Sequence, residues 1–243
     1  MSSRNSEGDP KSLAPDWQAV AKVIDHTLLK PEATAEQAVR LCDEAREFGF
    51  GAVMVNPGYV ELCVSKLQAS TVKVGAVIAF PFGATLTSAK VFEAGACLRL
   101  GAREIDMVMN IGALKSRNRE LVHSDVAAVA AVVHAQQALL KVILETGLLT
   151  DDEKRAACEI CEQAGADFVK TSTGFLGGGA KVEDVALMRS AVKIGVKASG
   201  GIRTAADARK MIEAGATRLG TSSGVAILRE MRGEAAASQS SVY

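Results

Sequence analysis

Short apolar runs alternate with longer amphipathic segments along most of the chain. Four of the amphipathic segments close on a glycine near a small residue, just before an apolar run begins, at Gly49, Gly101, Gly165 and Gly215. A glycine in this place is typical of a left-handed cap at the end of a helix. Because the pattern repeats at steps of a few tens of residues, it predicts serial strand–helix units and a wound α/β protein.

The apolar runs predict eight strands, which is the strand number of a (β/α)8 barrel. The predicted strands span residues 23–27, 52–56, 74–80, 104–109, 140–145, 168–171, 196–199 and 217–221. We therefore predict the α/β class with a single (β/α)8 TIM barrel. An open doubly wound sheet is the main alternative, although the GxGxxG turn that usually follows its first strand is missing.

One domain is expected from a chain of 243 residues without a visible linker. We predict a flexible N-terminal segment at 1–15, a barrel domain at 16–231 and a flexible tail at 232–243. The N-terminus lacks an apolar signal core and no apolar run reaches membrane-spanning length, so the expected compartment is the cytoplasm.

Charge and metal-ligand chemistry narrow the function classes. The 28 basic residues equal the 28 acidic ones, which indicates a small-molecule substrate and neither nucleic acid nor membrane as partner. His123 and His134 lie eleven residues apart in a predicted helix, too far for one metal site, and nicotinamide and P-loop fingerprints are missing. Cys158 and Cys161 fall mid-helix, where packing explains them better than redox chemistry. We expect no metal and no cofactor.

Two predicted strands each contain a lone lysine and then open into a turn rich in Gly, Ser and Thr. Lys170 and Lys197 lie 27 residues apart, about one strand-plus-helix unit. If their strands are neighbours in a parallel sheet, they run roughly 5 Å apart. The two ammonium groups then disfavour each other, and one tends to lose its proton. A neutral lysine is a nucleophile for carbonyl carbon.

Strand alternation places further charges on the faces that we expect to point into the barrel. The expected constellation at its mouth consists of Asp25, Asp106, Lys141, Glu145, Lys170 and Lys197. Barrel active sites lie at the carboxyl ends of the strands, which fits these positions. The alternative is that Asp25, Lys141 and Glu145 are paired charges that only hold the barrel interior together.

The turns after the last three predicted strands predict a phosphate site. Barrels often hold phosphate on the loops after strands seven and eight, where glycines let backbone N–H groups approach and serines add donors. The candidate phosphate-binding residues are Gly174, Gly200, Gly201, Ser222 and Ser223. Each loop alone could be an ordinary turn, but their coincidence indicates a phosphorylated substrate.

From about Ile24 to Gly224 the sequence resembles the deoxyribose-phosphate aldolase family, whose members are Schiff-base (class I) aldolases on (β/α)8 barrels. The matching motifs occupy residues 25–31, 55–57, 104–108, 141–146, 170–174, 197–203 and 220–223. The resemblance implies cleavage of 2-deoxy-D-ribose 5-phosphate to acetaldehyde and D-glyceraldehyde 3-phosphate, in deoxyribose phosphate catabolism. It implies Lys170 as the Schiff-base former and Asp106 with Lys197 as the proton-transfer pair. The strand pattern alone does not rank the two lysines, and it leaves Asp25 and Lys141 as supporting residues.

Two positions depart from the family pattern. Many relatives have a cysteine where this chain has Met54, and some have a lysine near the phosphate where this chain has Phe175. The phosphate contacts are therefore expected from backbone and serines. Another Schiff-base aldolase or a phosphate-binding sensor without turnover stays open as an alternative. A homodimer is possible, and Tyr243 is either a lid over the site or part of a disordered tail.

Overall fold

Eight parallel strands close into a barrel in chain order, with β8 pairing β1, in a computed structural model that describes residues 16–234. The strands are β1 Ile24–Leu28, β2 Ala52–Val55, β3 Lys73–Ile78, β4 Glu104–Val108, β5 Leu139–Ile143, β6 Phe168–Lys170, β7 Gly195–Ser199 and β8 Arg218–Thr221. All eight predicted strands are confirmed to within one or two residues at each end. The single (β/α)8 barrel is therefore confirmed, and the open sheet is wrong.

Ten α-helices surround the barrel in the described part of the chain. They are α1 Trp17–Lys22, α2 Ala35–Phe48, α3 Val60–Leu67, α4 Thr87–Arg99, α5 Ile111–Lys115, α6 Arg119–Ala135, α7 Asp151–Gln163, α8 Val182–Ala191, α9 Ala205–Glu213 and α10 Gly224–Met231. Two short 3-10 helices, Pro57–Tyr59 and Thr146–Leu148, follow β2 and β5. The loops that follow the strands lie at the carboxyl ends of the barrel, where (β/α)8 barrels carry their sites.

Local sequence signals explain where the helices begin and end. Thr34 caps α2 in a complete capping box with Gln37, and Thr150 does the same for α7 with Glu153. These caps satisfy backbone N–H groups that the first helical turn leaves free. Gly49 ends α2 in the left-handed conformation at φ 70°, as the repeated glycine pattern predicts.

The main apolar core lies between the outer faces of the strands and the helices. A second, smaller apolar cluster lies apart from it and consists of Leu29, Met54 and Val77 with Phe80 packed against it. The five cysteines are free and buried, and Cys158 and Cys161 occupy the interior of α7, as the packing interpretation predicts. Burial raises the pKa of both thiols, so they stay protonated.

The structure describes the chain up to, but not including, its two ends. The predicted segment 1–15 and the tail from residue 235, including Tyr243, lie outside the described residues. Just after α10, the Arg232 guanidinium lies 3.7 Å from the centre of the Trp17 ring, so the two ends of the described chain meet. None of the helices within 16–234 has the length and apolarity that a membrane span requires.

Candidate active site

Six of the eight strands point charged side chains into the barrel. The seven residues are Asp25, Glu104, Asp106, Lys141, Lys170, Lys197 and Arg218. Six of them are almost completely buried, and the Arg218 side chain is 13% exposed. The strands β2 and β3 contribute no charge to this cluster. Met54 of β2 instead lies against Gly75 of β3. The charged interior is therefore one-sided, and we call these seven residues the interior cluster.

Asp106 is the centre of the interior cluster. Its Oδ2 accepts hydrogen bonds from Lys170 Nζ at 2.8 Å and from Lys197 Nζ at 2.7 Å, and its Oδ1 accepts one from Lys141 Nζ at 2.9 Å. Burial alone would raise the pKa of this carboxyl, but the three ammonium groups hold it well below its usual range. Asp106 is therefore a carboxylate that joins the two candidate catalytic lysines through one oxygen atom.

Two more carboxylates complete the contacts around the other cations. Asp25 accepts hydrogen bonds from Lys197 Nζ and, at 2.5 Å, from Arg218 Nε. Lys197, Lys141 and Arg218 outweigh the effect of burial and lower the pKa of Asp25. Glu104 accepts from Lys141 Nζ at 2.6 Å and from Arg218 Nη2 at 2.6 and 2.7 Å. Each carboxylate of the interior cluster thus contacts at least two cations.

The interior cluster holds four basic groups and three carboxylates, so full ionisation would leave one surplus positive charge in a buried space. Lys170 contacts only Asp106, whereas Lys197 contacts two carboxylates. Burial first, and then Lys197 and Lys141, outweigh Asp106 and lower the pKa of Lys170 to about 8. Lys170 therefore has the fewest carboxylate contacts of the three lysines, and its lowered pKa favours loss of its proton.

The strand pairing explains why the two lysines lie together. Lys170 is the direct register partner of Lys197 across the β6–β7 pair, as the spacing predicts. On the other side of β7, a Cβ atom at Gly220 would lie 3.0 Å from Cε of Lys197. Because a side chain at that position would displace Lys197 from the carboxylates, the glycine in β8 belongs to the construction of the interior cluster.

A cavity of about 520 Å³ opens at the carboxyl ends of the strands, and Lys170 alone among the interior cluster lines it. The same cavity is lined by all the predicted phosphate-site residues, namely Gly174, Gly200, Gly201, Ser222 and Ser223. The last two immediately precede α10, so the N–H groups of that helix begin beside the cavity. One space thus joins the candidate nucleophile to the candidate phosphate loops.

The loops after β6 and β7 form adjoining walls of this cavity. The N–H of Ala180 donates to the carbonyl of Gly200 at 2.9 Å. A Cβ atom at Gly179 would lie only 2.7 Å from that same carbonyl oxygen, so the close approach requires a glycine. The backbone of the β6 loop is therefore pressed directly against the β7 loop.

At the rim of the cavity, Phe175 stands where some relatives have a lysine. Phe175 is 45% exposed, and its ring meets Phe80 edge-on with centroids 5.1 Å apart. Lys30 and Arg203 also line the cavity and bring two positive charges to its wall. The sequence interpretation, which expected phosphate contacts from backbone and serines, did not include these two cations.

Glu145 lies apart from the constellation in which strand alternation placed it. The strand β5 ends at Ile143, and Glu145 adopts a left-handed backbone at φ 57°. Its carboxylate contacts Thr173 in the loop after β6, and it forms no ion pair with a described residue of the interior cluster. The expectation that Glu145 joins the lysines is therefore not met, because alternation stops where the strand stops.

Within residues 16–234, no group of three or more His, Cys, Asp or Glu side chains is arranged to hold a metal ion. His26 Nε2 lies 2.6 Å from a carboxylate oxygen of Glu44, and His134 Nε2 lies 2.9 Å from one of Asp167. These contacts tie β1 to α2 and α6 to the turn before β6. They account for two of the three histidines as links between elements of the fold.

Two members of the interior cluster were missed as functional candidates. Glu104 shares a strand face with Asp106, and Arg218 is two residues before Gly220 on the same face of β8. The alternation rule could have found both. Their partners come from strands far away in sequence, so nothing local shows that they contact the same lysine and aspartate.

Comparison with known proteins assigns the family. The sequence pattern described as DeoC/LacD family aldolase matches residues 19–231. The chain belongs to this family and is an aldolase, an enzyme of the lyase class.

Individual relatives show which members of the family the chain is similar to. The chain is 55% identical over 220 residues to the deoxyribose-phosphate aldolase of Halalkalibacterium halodurans, covering 89% of this chain and 98% of that protein. It is 56% identical over 211 residues to that of Listeria monocytogenes, covering 86% and 94%. Among solved structures, the tetrameric deoxyribose phosphate aldolase of Aeropyrum pernix has a TM-score of 0.84 at 36% identity, covering 89% and 92%.

Proposed function

We propose that this enzyme cleaves 2-deoxy-D-ribose 5-phosphate reversibly to acetaldehyde and D-glyceraldehyde 3-phosphate through a Schiff base on Lys170. The observation that carries the proposal is the placement of Lys170, which alone of the interior cluster reaches the cavity and has its pKa lowered to about 8. At that pKa about a tenth of the amine is neutral at pH 7, against about one part in a few thousand for an ordinary lysine.

The first step is attack of the neutral Lys170 amine on C1 of the open-chain sugar aldehyde. A carbinolamine forms, and loss of its hydroxyl as water gives a protonated imine. Asp106 Oδ2, 2.8 Å from Lys170 Nζ and 2.7 Å from Lys197 Nζ, is placed to move the protons that this step releases and requires. The shared oxygen supports assigning Asp106 and Lys197 as the proton-transfer pair.

The second step breaks the bond between C2 and C3 of the sugar. Removal of the proton from the C3 hydroxyl lets its electrons form the carbonyl of D-glyceraldehyde 3-phosphate, while the electrons of the broken bond neutralise the imine as an enamine. The group that we assign to this proton is Asp106, acting through a water molecule. Protonation of the enamine at C2 and hydrolysis of the imine then release acetaldehyde and return Lys170.

The supporting residues act on the catalytic pair. Lys197 donates to Asp25 as well as to Asp106, and Lys141 contacts Asp106 at its other oxygen. We assign to Asp25 the orientation of Lys197, and to Lys141 the orientation of Asp106. Neither residue lines the cavity, which fits a role in orienting the catalytic pair.

The phosphate is assigned to the loops after β6, β7 and β8. Gly174, Gly200 and Gly201 offer backbone N–H groups, Ser222 and Ser223 add hydroxyls, and α10 begins beside them. Lys30 and Arg203 supply positive charge on the cavity wall. Binding the phosphate end holds the reacting carbons near Lys170 and so contributes orientation to the rate.

The setting that we propose is the cytoplasm, without a nucleic acid or membrane partner. A homodimer is the proposed assembly, while the Aeropyrum pernix relative is described as a tetramer. The exposed rings of Phe82 and Phe92 support burial of surface between copies of the chain. Sedimentation of the purified enzyme distinguishes the monomer, dimer and tetramer.

The decisive experiment is borohydride trapping with 2-deoxyribose 5-phosphate or with acetaldehyde, followed by peptide mass mapping. A reduced adduct on the peptide that contains Lys170 is the expected result. An adduct on Lys197 would reverse the roles of the two lysines. Trapping with acetaldehyde but no cleavage of the sugar phosphate would indicate another Schiff-base aldolase, and binding without any adduct would indicate a sensor.

A further inference from the structure

The loop after β6 is tied to the segment after β5 by one buried carboxylate that the proposed chemistry does not use. Glu145 Oε2 accepts a hydrogen bond from the N–H of Thr173 at 3.1 Å and another from the Thr173 hydroxyl at 2.5 Å. The Thr173 hydroxyl oxygen accepts in turn from the N–H of Phe175 at 3.1 Å. A single oxygen atom of Glu145 thus fixes the backbone and the side chain of Thr173 where the loop enters the cavity wall.

The burial and conformation of Glu145 are both unfavourable on their own. The residue is 1% exposed, and within residues 16–234 no lysine, arginine or histidine forms an ion pair with it. Its backbone is left-handed at φ 57°, a conformation that residues other than glycine rarely adopt. A buried carboxylate without a cation is costly, and strained residues concentrate at functional sites. Glu145 therefore calls for an explanation beyond packing.

Backbone contacts on both sides show how closely the β6 loop is held. A Cβ atom at Gly147 would lie 3.5 Å from the carbonyl oxygen of Gly177, so the segment that contains Glu145 packs on the loop backbone. On the far side, Ala180 and Gly179 press against Gly200 of the β7 loop. The β6 loop is therefore clamped between its two neighbours, and the Glu145–Thr173 contact is the side-chain hydrogen bonding that holds it on the β5 side.

We propose that Glu145 is a positioning residue that sets the preference for the phosphorylated substrate by fixing the β6 loop at Thr173. This inference rests on the proposed function. The loop contributes Thr173, Gly174, Phe175 and Gly178 to the cavity, on the side assigned to the phosphate. Since the described ion pairs of the interior cluster do not include Glu145, the effect should fall on phosphate binding and spare Schiff-base formation.

The test compares 2-deoxyribose 5-phosphate with unphosphorylated 2-deoxyribose in wild type, Glu145→Ala and Glu145→Gln. The readout is the ratio of kcat/KM for the two substrates. We expect Glu145→Ala to lower this ratio about tenfold or more, mainly through KM for the phosphorylated sugar, because it removes two hydrogen bonds to a charged acceptor. Glu145→Gln keeps an acceptor oxygen at the Oε2 position, while Oε1 has no hydrogen-bond partner to lose. It should restore most of the ratio.

Glu162→Ala is the matched control. Glu162 Oε1 also accepts two backbone hydrogen bonds, from Lys193 at 2.7 Å and Ile194 at 3.1 Å, but just before β7, away from the cavity. Its removal should lower thermal stability and leave the ratio unchanged. If Glu145→Ala fails to fold, Thr173→Val removes the hydroxyl half of the contact and should lower the ratio in the same direction.

The outcomes separate the two levels of the argument. A wild type that cleaves neither sugar overturns the proposed function, and this inference with it. A wild type that cleaves the phosphorylated sugar while Glu145→Ala keeps the wild-type ratio overturns the inference alone. An equal fall of the ratio in Glu162→Ala reduces the effect to general destabilisation and also overturns it. A ratio in Glu145→Gln as low as in Glu145→Ala would show that the charge of Glu145, and not its contact with Thr173, sets the substrate preference. That result would also overturn the inference.

Discussion

Lys141 on β5 and Lys170 on β6 are both buried, but their pKa values shift in opposite directions. Burial alone would lower the pKa of Lys141, but Asp106, Glu104 and Asp25 together raise it above its ordinary value. Lys170 on β6 contacts Asp106 alone, and burial with two nearby ammonium groups lowers its pKa to about 8. The number of carboxylates around each ammonium group, and not burial itself, therefore separates a structural lysine from a reactive one.

The largest expected effect is the loss of activity in Lys170→Met. Without the amine no Schiff base forms, so cleavage of 2-deoxyribose 5-phosphate should fall by about 10⁴-fold or more. The free energy of unfolding should change little, because Asp106 keeps Lys141 and Lys197 and methionine fills a similar volume. Steady-state kinetics and urea unfolding measure the two quantities. Activity within tenfold of wild type would remove Lys170 from its assigned role.

A large loss of stability is expected for Lys141→Met. This change takes one cation from Glu104, which keeps Arg218, and one from Asp106, which keeps Lys170 and Lys197. Removing one partner of a buried ion pair costs up to about 3–5 kcal/mol. Urea unfolding at neutral pH should show this loss, with Lys170→Met as the matched control on the neighbouring strand. Equal unfolding free energies in the two variants would contradict the comparison drawn between the lysines.

The smallest expected effect is a shift in the pH dependence of trapping. Since the neutral amine reacts, the rate of borohydride-trapped adduct formation with acetaldehyde should rise with pH to a plateau, with a midpoint near 8. Replacing Lys197 by Met removes a nearby positive charge, which raises the pKa of Lys170 and moves this midpoint to higher pH. Trapping reports imine formation alone, without the proton transfers of carbon–carbon cleavage. A midpoint that stays in place would show that Lys197 does not tune Lys170.

Much of the fold was predictable because its signals are local. Apolar runs and glycine caps mark each strand–helix unit, and the capping box of Thr34 and Gln37 identifies the start of α2 before any tertiary contact is known. The exact strand ends were less predictable. β5 begins at Leu139, one residue before the predicted start, and ends at Ile143, two residues before the predicted end.

The candidate site was predictable where strand alternation holds and was missed where contacts are non-local. Alternation placed Asp106, Lys170 and Lys197 on inward faces, and the structure brings them together. Alternation cannot say that Arg218 contacts Asp25, 193 residues earlier in the chain. It also misplaced Glu145. The strand β5 ends at Ile143, so alternation no longer applies at Glu145, whose backbone is left-handed.

The surplus positive charge of the interior cluster has a further consequence if Lys170 carries the imine as proposed. A protonated amine in this space relieves the surplus by releasing a proton, but a protonated imine awaiting carbon–carbon cleavage cannot do so without losing its reactivity. The remaining route is to draw in an electron pair from the adjacent carbon–carbon bond. The burial and the nearby cations that together free the amine for attack would then also favour cleavage of the carbon–carbon bond, so the same surroundings would assist both halves of the reaction.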